Sequence, residues 1–555
     1  MTARQMRIAL WASVICLALA ASISGITNGF AMDDVHVIVN DTRGHSLAHW
    51  WTAFGQSYWS ATFGGDLYRP LTRLGFAFQW TVGGGSPLVF HSVSIGLYAL
   101  VCAAFLGVLL ELLPALAAWL GAALFAVHPL HVEAVGNVVG QAELWAALFM
   151  FLALLVFLRS RRRGNVTVRD TCIIVALYAL GCLSKENAIV LPLLLLAAEV
   201  TVLAGESSPR ARILEIRRLI LLLAVTGVAF VWLRIEVLGV QAAAPDESNM
   251  LFYGQPFHFR AMTMLVVVLD WLRLFFWPAH LSADYSPRVI DLVTRPTTEM
   301  VASAAIVVGL SGLAWVARRT APVATFAFLW TAIALIIPSN LIVPTGFVLA
   351  ERTLFVASGG VMLAVAALAA HFSGSWATLP RQSRTFVSVA IGTILLLGVI
   401  ASALRQRVWH DDYTLFAQTV ADAPASYKAH MAYAGLLFEK QQRKEAFDHI
   451  AIAHALVPAN LDALQYAAAN YSGVEGCQHA VGLYAHVLDE EPRRAEARVG
   501  FVQCLTAMGR YSEARKAIRA GLATGESMGA FQRLLFVNDS VEASARHTRA
   551  SSPGR

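Results

Sequence analysis

The chain is 555 residues long, 57% hydrophobic and only 14% charged, with a mean hydropathy of +0.59. That balance excludes a water-soluble domain of ordinary type for about the first 400 residues, since so much apolar surface has no polar cover to match it. The formal net charge of +6 lies in short Lys/Arg loops beside apolar runs, where it marks the cytoplasmic side of a membrane, so it reports topology and no nucleic-acid partner is expected.

Arg4 and Arg7 precede an apolar run to about Ile26. No small-residue cleavage site follows, which predicts an uncleaved first helix with a cytoplasmic N-terminus. Within a few residues of its outer end stand Asp33 and Asp34. Desolvation at a membrane surface raises a carboxylate's pKa and makes it a stronger base, so the pair suits chemistry, a metal or a basic partner; a helix cap or a solvated loop acid is the equally weighted alternative.

Spans of about 20 residues follow near 88–112, 115–128, 142–158, 172–184, 188–204, 219–239, 300–317, 323–338, 354–371 and 384–403, eleven with the first. The basic loops Arg159 to Arg163, Arg210 to Arg218, Arg318-Arg319 and Arg381 to Arg384 all fall inside if 261–279, with Asp270, Arg273 and Pro278, is re-entrant or interfacial. The C-terminal tail then emerges on the outer face with Asp33 and Asp34. These features predict a multipass plasma-membrane protein, in a bacterial cell an inner-membrane one.

The outer loops carry polar motifs. Tyr68-Arg69-Pro70-Leu71-Thr72 ends the first of them. Next come His128, His131 and Glu133, which could hold a divalent metal if the segment is helical beyond Pro129, or could cap a helix or bind phosphate. Lys185-Glu186 and Glu351-Arg352 bring a lysine and an arginine from separate helices toward headgroup level. Arg can take a phosphate bidentately and Lys as a point charge; mutual anchoring of Lys185 by Glu186 or Glu351 is the plainer reading. Asp284 adds an outer acid beside Tyr285, an expected interfacial aromatic.

The tail has a different pattern. Pro424, Pro458 and Pro492 recur every 34 residues, as do Ala446, Ala480 and Ala514, with small residues Ala434 and Ala468 where paired helices would cross. Tetratricopeptide repeats are expected at 427–460, 461–494 and 495–528, with a partial unit at 405–424. The Ser/Arg/Ala-rich end reads as disordered. Of the six cysteines, Cys16, Cys102, Cys172 and Cys182 lie in apolar runs; Cys477 and Cys504 could meet in the tail, but free buried thiols are expected.

In order, these motifs resemble the transmembrane and tetratricopeptide-repeat O-mannosyltransferases and their bacterial relatives, within the C-type glycosyltransferase superfamily. The likeness runs over residues 5–530 and rests on the ordered series of motifs. It implies an all-α protein: a polytopic helical bundle of that superfamily's fold over 1–404, a repeat α-solenoid over 405–530, and a disordered 531–555. It further implies a polyprenyl-phosphate sugar donor reached from the membrane lipid and an acceptor hydroxyl, expected on a protein or peptide presented by the repeats. Asp33 or Asp34 matches the catalytic acid; Arg69, Lys185, Glu186, Glu351 and Arg352 match donor-side positions; His128, His131, Glu133 and Asp284 are further outer-face candidates. The likeness assigns no definite cofactor, and a divalent metal is an open option. Gln141 stands where relatives carry arginine, Phe355 where tyrosine is common and Ala357 where proline is common, which leaves the choice of sugar open. A non-enzymatic scaffold and a lipid-linked glycan ligase or polymerase are the competing readings.

Overall fold

A computed structural model describes residues 2–60, 67–203, 208–239, 251–252, 254–286, 288–342, 344–376, 380–458, 461–471, 473–525 and 527–550. The chain divides into two compact units, Met1–Ser286 with Ile290–Asp422, and Pro287–Val289 with Ala423–Arg555. Helices are the only regular elements among the described residues.

The first unit contains α1 (Ala3–Ser22), α2 (Pro70–Gly83), α3 (Pro87–Leu112), α4 (Ala115–Ala126), α5 (Val132–Gly136), α6 (Gln141–Arg162), α7 (Val168–Ser184) and α8 (Leu191–Val200). It continues through α9 (Pro209–Glu215), α10 (Arg217–Leu238), α11 (Phe257–Phe276), α12 (Thr298–Ala317), α13 (Pro322–Ala334), α14 (Phe355–Trp376), α15 (Arg381–Val408) and α16 (Asp412–Asp422). Prolines at the first turns of α2, α3 and α13 start helices where a missing N–H costs nothing, and Thr167 with Asp170 closes a capping box on α7.

Every expected span contains a helix, but among the described residues seven are long and apolar enough to cross a bilayer, or eight if α4 and α5 form one bent span. Pro129 interrupts that pair, which bends by 51°. At about 1.5 Å per residue, α7, α8 and α13, with 17, 10 and 13 residues, are short for a crossing. The protein is a multipass membrane protein whose centre is α3, α6 and α14, with 72, 78 and 67% of their apolar windows buried, against 6% for α12 and 11% for α15. Helices apolar all round pack inward, and here Phe105, Phe125, Phe151, Trp330 and Phe355 interlock with ring centroids 4.6 to 6.2 Å apart.

The second unit stacks α17 (Tyr427–Glu439) on α18 (Arg443–Leu456), α19 (Asp462–Asn470) on α20 (Gly473–Glu490) and α21 (Ala495–Ala507) on α22 (Tyr511–Ala523), followed by α23 (Met528–Ala550). The pairs fall on the 34-residue repeats, and Ala446, Ala480 and Ala514 are fully buried, as are Ala434 and Ala468.

Two expectations are corrected here. Residues 531–550 are helical and not disordered, because Phe531, with Leu534 and Leu535 beside it, packs on Leu505 and Ile518, and Arg515 pairs with Asp539 and Glu542; residues 551–555 lie outside the described residues. Cys477 and Cys504 are not free thiols but a disulfide joining α20 to α21, whose Cα atoms approach to 5.0 Å.

Candidate active site

The acidic pair sits eleven residues beyond the end of α1, where the chain turns sharply. Met32 takes a left-handed backbone (φ 56°), a conformation that costs a non-glycine residue about 1–3 kcal/mol and is held here by its N–H donating to Asp412 Oδ1. Val35–Val39 follows as a single π-turn, with Val37 and Ile38 packed on Tyr58, Phe76, Phe90, Val138 and Val139.

The two adjacent aspartates, just before this turn, have different surroundings. Asp34 is fully buried and accepts the backbone N–H groups of Val138 and Val139 at 3.0 and 2.7 Å, capping the turn that leads into α6. Burial pushes its carboxyl up to about 8, although those hydrogen bonds pull the other way. Asp33 keeps about a quarter of its side chain exposed and has Arg352 Nη2 at 3.8 Å. Gly140, two residues beyond Val138, has no room for a side chain, since a Cβ would stand 2.5 Å from the Ala134 carbonyl oxygen.

Arg352, in the turn that opens α14, donates from its backbone N–H to Glu133 Oε2 at 2.8 Å and from its guanidinium to Glu133 Oε1, and its face lies over Phe347. Glu133 on α5 is buried. Arg69, one residue before α2, grips Glu186 with two hydrogen bonds of 2.9 and 2.5 Å and lies 5.1 Å from the Tyr58 ring centre. For Glu186 burial raises the pKa, but the Arg69 charge and hydrogen bonds, with Lys185, outweigh it and hold the carboxyl down to about 2. Thr72 Oγ1 donates to Ser184 O at 2.9 Å and ties α2 to the end of α7.

Several predicted partners differ. Lys185 pairs with neither Glu186 nor Glu351: it is buried against Glu143, the α6 acid in the Gly140-Gln141-Ala142-Glu143 segment. Burial lowers its pKa, against the pull of Glu143, and Arg69 and Arg352 add to the lowering. Glu351 is also buried and accepts Ser282 N–H at 2.6 Å and Tyr285 O–H at 2.7 Å. Tyr285 is thus a buried hydrogen-bond donor, where an interfacial aromatic was expected. Asp284 accepts Ser286 N–H at 3.0 Å.

The metal option for His128, His131 and Glu133 does not fit this geometry. The His128 and His131 rings lie 5.5 Å apart on the 3-10 turn that Pro129 starts, but each of the three side chains is committed elsewhere. His128 Nε2 is bonded to Phe275 O at 3.0 Å, His131 lies between Tyr98 Oη and Ser358 Oγ at 3.1 and 2.8 Å, and Glu133 holds Arg352. Among the described residues no three His, Cys, Asp or Glu side chains are grouped to hold a metal.

Gln141, where relatives carry arginine, forms a reciprocal pair of 2.9 Å bonds with Gln79 and also reaches Phe90 O and Ser94 Oγ. The position is neutral, buried and fully engaged in packing. Arg69, Lys185 and Arg352 are thus paired with Glu186, Glu143, and Glu133 and Asp33, respectively, where turns between helices come together, and the members that reach solvent are Asp33, Arg352, Arg69 and Glu186. Such a surface can take a proton at Asp33 and hold an anion at Arg352.

The tetratricopeptide repeat family matches residues 478–535. Over a wider range the chain is 27% identical over 434 residues to protein O-mannosyl-transferase TMTC3 of Mus musculus, covering 73% of this chain and 46% of that protein. It is 31% identical over 312 residues to protein O-mannosyl-transferase Tmtc2 of Drosophila melanogaster, 53% of this chain and 33% of that one. Against protein O-mannosyl-transferase TMTC1 of Homo sapiens it is 27% identical over 519 residues, 82% and 56% of the two chains. The chain spans about half the length of the relatives it matches. Its homologues are protein O-mannosyl-transferases of the transmembrane and tetratricopeptide-repeat family, and its own tail carries repeats of that kind.

Proposed function

We propose that the protein is a membrane glycosyltransferase that moves a monosaccharide, with mannose the first candidate, from a polyprenyl-phosphate donor to a protein hydroxyl at the outer membrane face. The observation that carries the reading is the partly exposed Asp33 carboxylate beside Arg352, next to a sister acid that is consumed by the fold. Asp33 takes the proton of the acceptor hydroxyl as its oxygen forms the new bond to the anomeric carbon. The bond from that carbon to the phosphate oxygen breaks on the opposite side, so configuration inverts, and polyprenyl phosphate leaves with the electron pair. Arg352, oriented by Glu133, meets the charge that develops on the phosphate. Asp34, Lys185, Glu143 and Glu351 act as positioning residues, because each is buried and engaged.

The repeats would present the acceptor on the same side. The disulfide between Cys477 and Cys504 supports that orientation, since such bonds persist in oxidising compartments and not in the cytosol.

The test uses purified full-length protein, radiolabelled polyprenyl-phosphate sugars and a membrane extract as acceptor. Asp33→Asn is expected to lower transfer by about 10²–10⁴-fold, with Asp34→Asn retaining more activity than Asp33→Asn in the properly folded fraction. Undiminished transfer by Asp33→Asn would refute the base assignment. Absence of transfer from every donor, with the repeats still retaining a partner, would favour the scaffold.

A further inference from the structure

A second cationic feature lies one turn along α2 from Arg69. Arg73 is 6% exposed, yet among the described residues it forms no ion pair; its Nη1 alone donates, to Gln56 Oε1 and Ser57 O at 3.1 Å each. A buried guanidinium without a carboxylate against it is costly, since its lost hydration is not replaced by an opposite charge. Arg69, by contrast, has Glu186.

Asp41, the described acid whose charge reaches Arg73, is spoken for by Arg43, which takes both its oxygens at 2.7 and 2.6 Å. Burial and the Arg43 charge press the Arg73 pKa down, to about 10, with only partial relief from Asp41. Arg73 and Arg43 line one small cleft together with Gly44, Ser46, His49 and Thr52, so two arginines meet there. His45 is not part of this set: it stacks on Trp80 at 3.5 Å and bonds Ile38 O.

The surroundings place the cleft at a bilayer surface. Trp50 and Trp51, on its rim and beside it, are 51 and 55% exposed, and Phe54 joins them edge-on at 6.2 Å from Trp50. Outward-facing Phe78 and Val82 continue the apolar surface along α2. Aromatic side chains of this kind settle at headgroup level, where phosphates are concentrated.

The geometry points to a phosphate-binding site at Arg43 and Arg73, separate from Arg352, which takes the phosphate group of an anionic lipid or of a soluble phosphate. Ser46, whose oxygen accepts Ala48 N–H, supplies a neutral donor, and the aromatic rim fixes the depth. The site is independent of the transfer reaction and stands whether or not that reading holds.

Native mass spectrometry of the detergent-purified full chain, titrated with phosphatidylglycerol or phosphatidylcholine, tests the assignment. The wild type is expected to hold one phosphatidylglycerol about tenfold or more tighter than Arg73→Gln and Arg43→Gln, a loss of about 1.4 kcal/mol or more. Displacement by millimolar inorganic phosphate would identify a site for phosphate itself, and resistance to it a site for the lipid; either supports the assignment. Equal retention by all three folded proteins overturns it. If Arg73→Gln does not fold, Arg43→Gln decides alone, because Arg43 is partly exposed and its replacement leaves the buried arginine in place.

Discussion

The Asp34 carboxylate receives the N–H groups of Val138 and Val139 and is shut off from water, which makes it a tie between the first outer loop and the start of α6. Asparagine at this position would turn an amide N–H₂ toward a backbone donor, and stability is expected to fall by about 1–3 kcal/mol. The unfolded carboxyl titrates near 3.8 and the folded one near 8, so between these values the folded chain keeps a proton that the unfolded chain has lost. Stability from this group is therefore complete below about pH 4, declines as pH rises toward 8, and is absent above. Thermal unfolding in detergent is expected to show the wild type losing stability between about pH 4 and 8 and Asp34→Asn, less stable throughout, with a flatter profile. Equal slopes would refute the burial argument.

Among the elements, helices were the readable part. Runs of apolar residues at spanning length predicted the positions of α3, α6, α10, α12 and α15, because burial in lipid needs nothing beyond composition and length. The repeats were equally visible through Pro424, Pro458 and Pro492. Pairings were not readable: Lys185 finds Glu143, 42 residues away, and Asp34 finds N–H groups more than 100 residues away, distances at which local pattern carries no information. The α23 helix had a signal that composition hid, since Phe531, Leu534, Leu535 and Asn538 recur at helical spacing beneath a Ser- and Arg-rich surface. Spacing also could not pair Cys477 with Cys504. Thiol titration of the denatured, unreduced protein is expected to find the four cysteines outside this bond, and six after reduction. Cys477→Ser should destabilise the repeat unit by about 3 kcal/mol, read as a lower unfolding midpoint for that unit.

For the whole molecule, the contrast between the packed centre and the rim decides where membrane properties can act. The α15 helix has 28 residues, about 42 Å at 1.5 Å each, against a hydrocarbon layer of about 30 Å, and nearly all of its apolar window faces outward. At its end Trp409 packs beside Ala31 and Met32, next to Asp33, and Gln406 Oε1 would lie 2.8 Å from a Cβ at Gly136. The apolar stretch of α15 near 384–403, about 30 Å long, matches that layer, with Arg384 and Arg405 at its ends, so a thinner or thicker bilayer tilts the helix or deforms the lipid around it. Bilayer thickness thereby becomes an input to the candidate site: for the proposed transfer, the rate in reconstituted vesicles is expected to peak at one acyl-chain length and to fall on either side, whereas a rate indifferent to chain length would mean that the Trp409 wall stays put however α15 tilts.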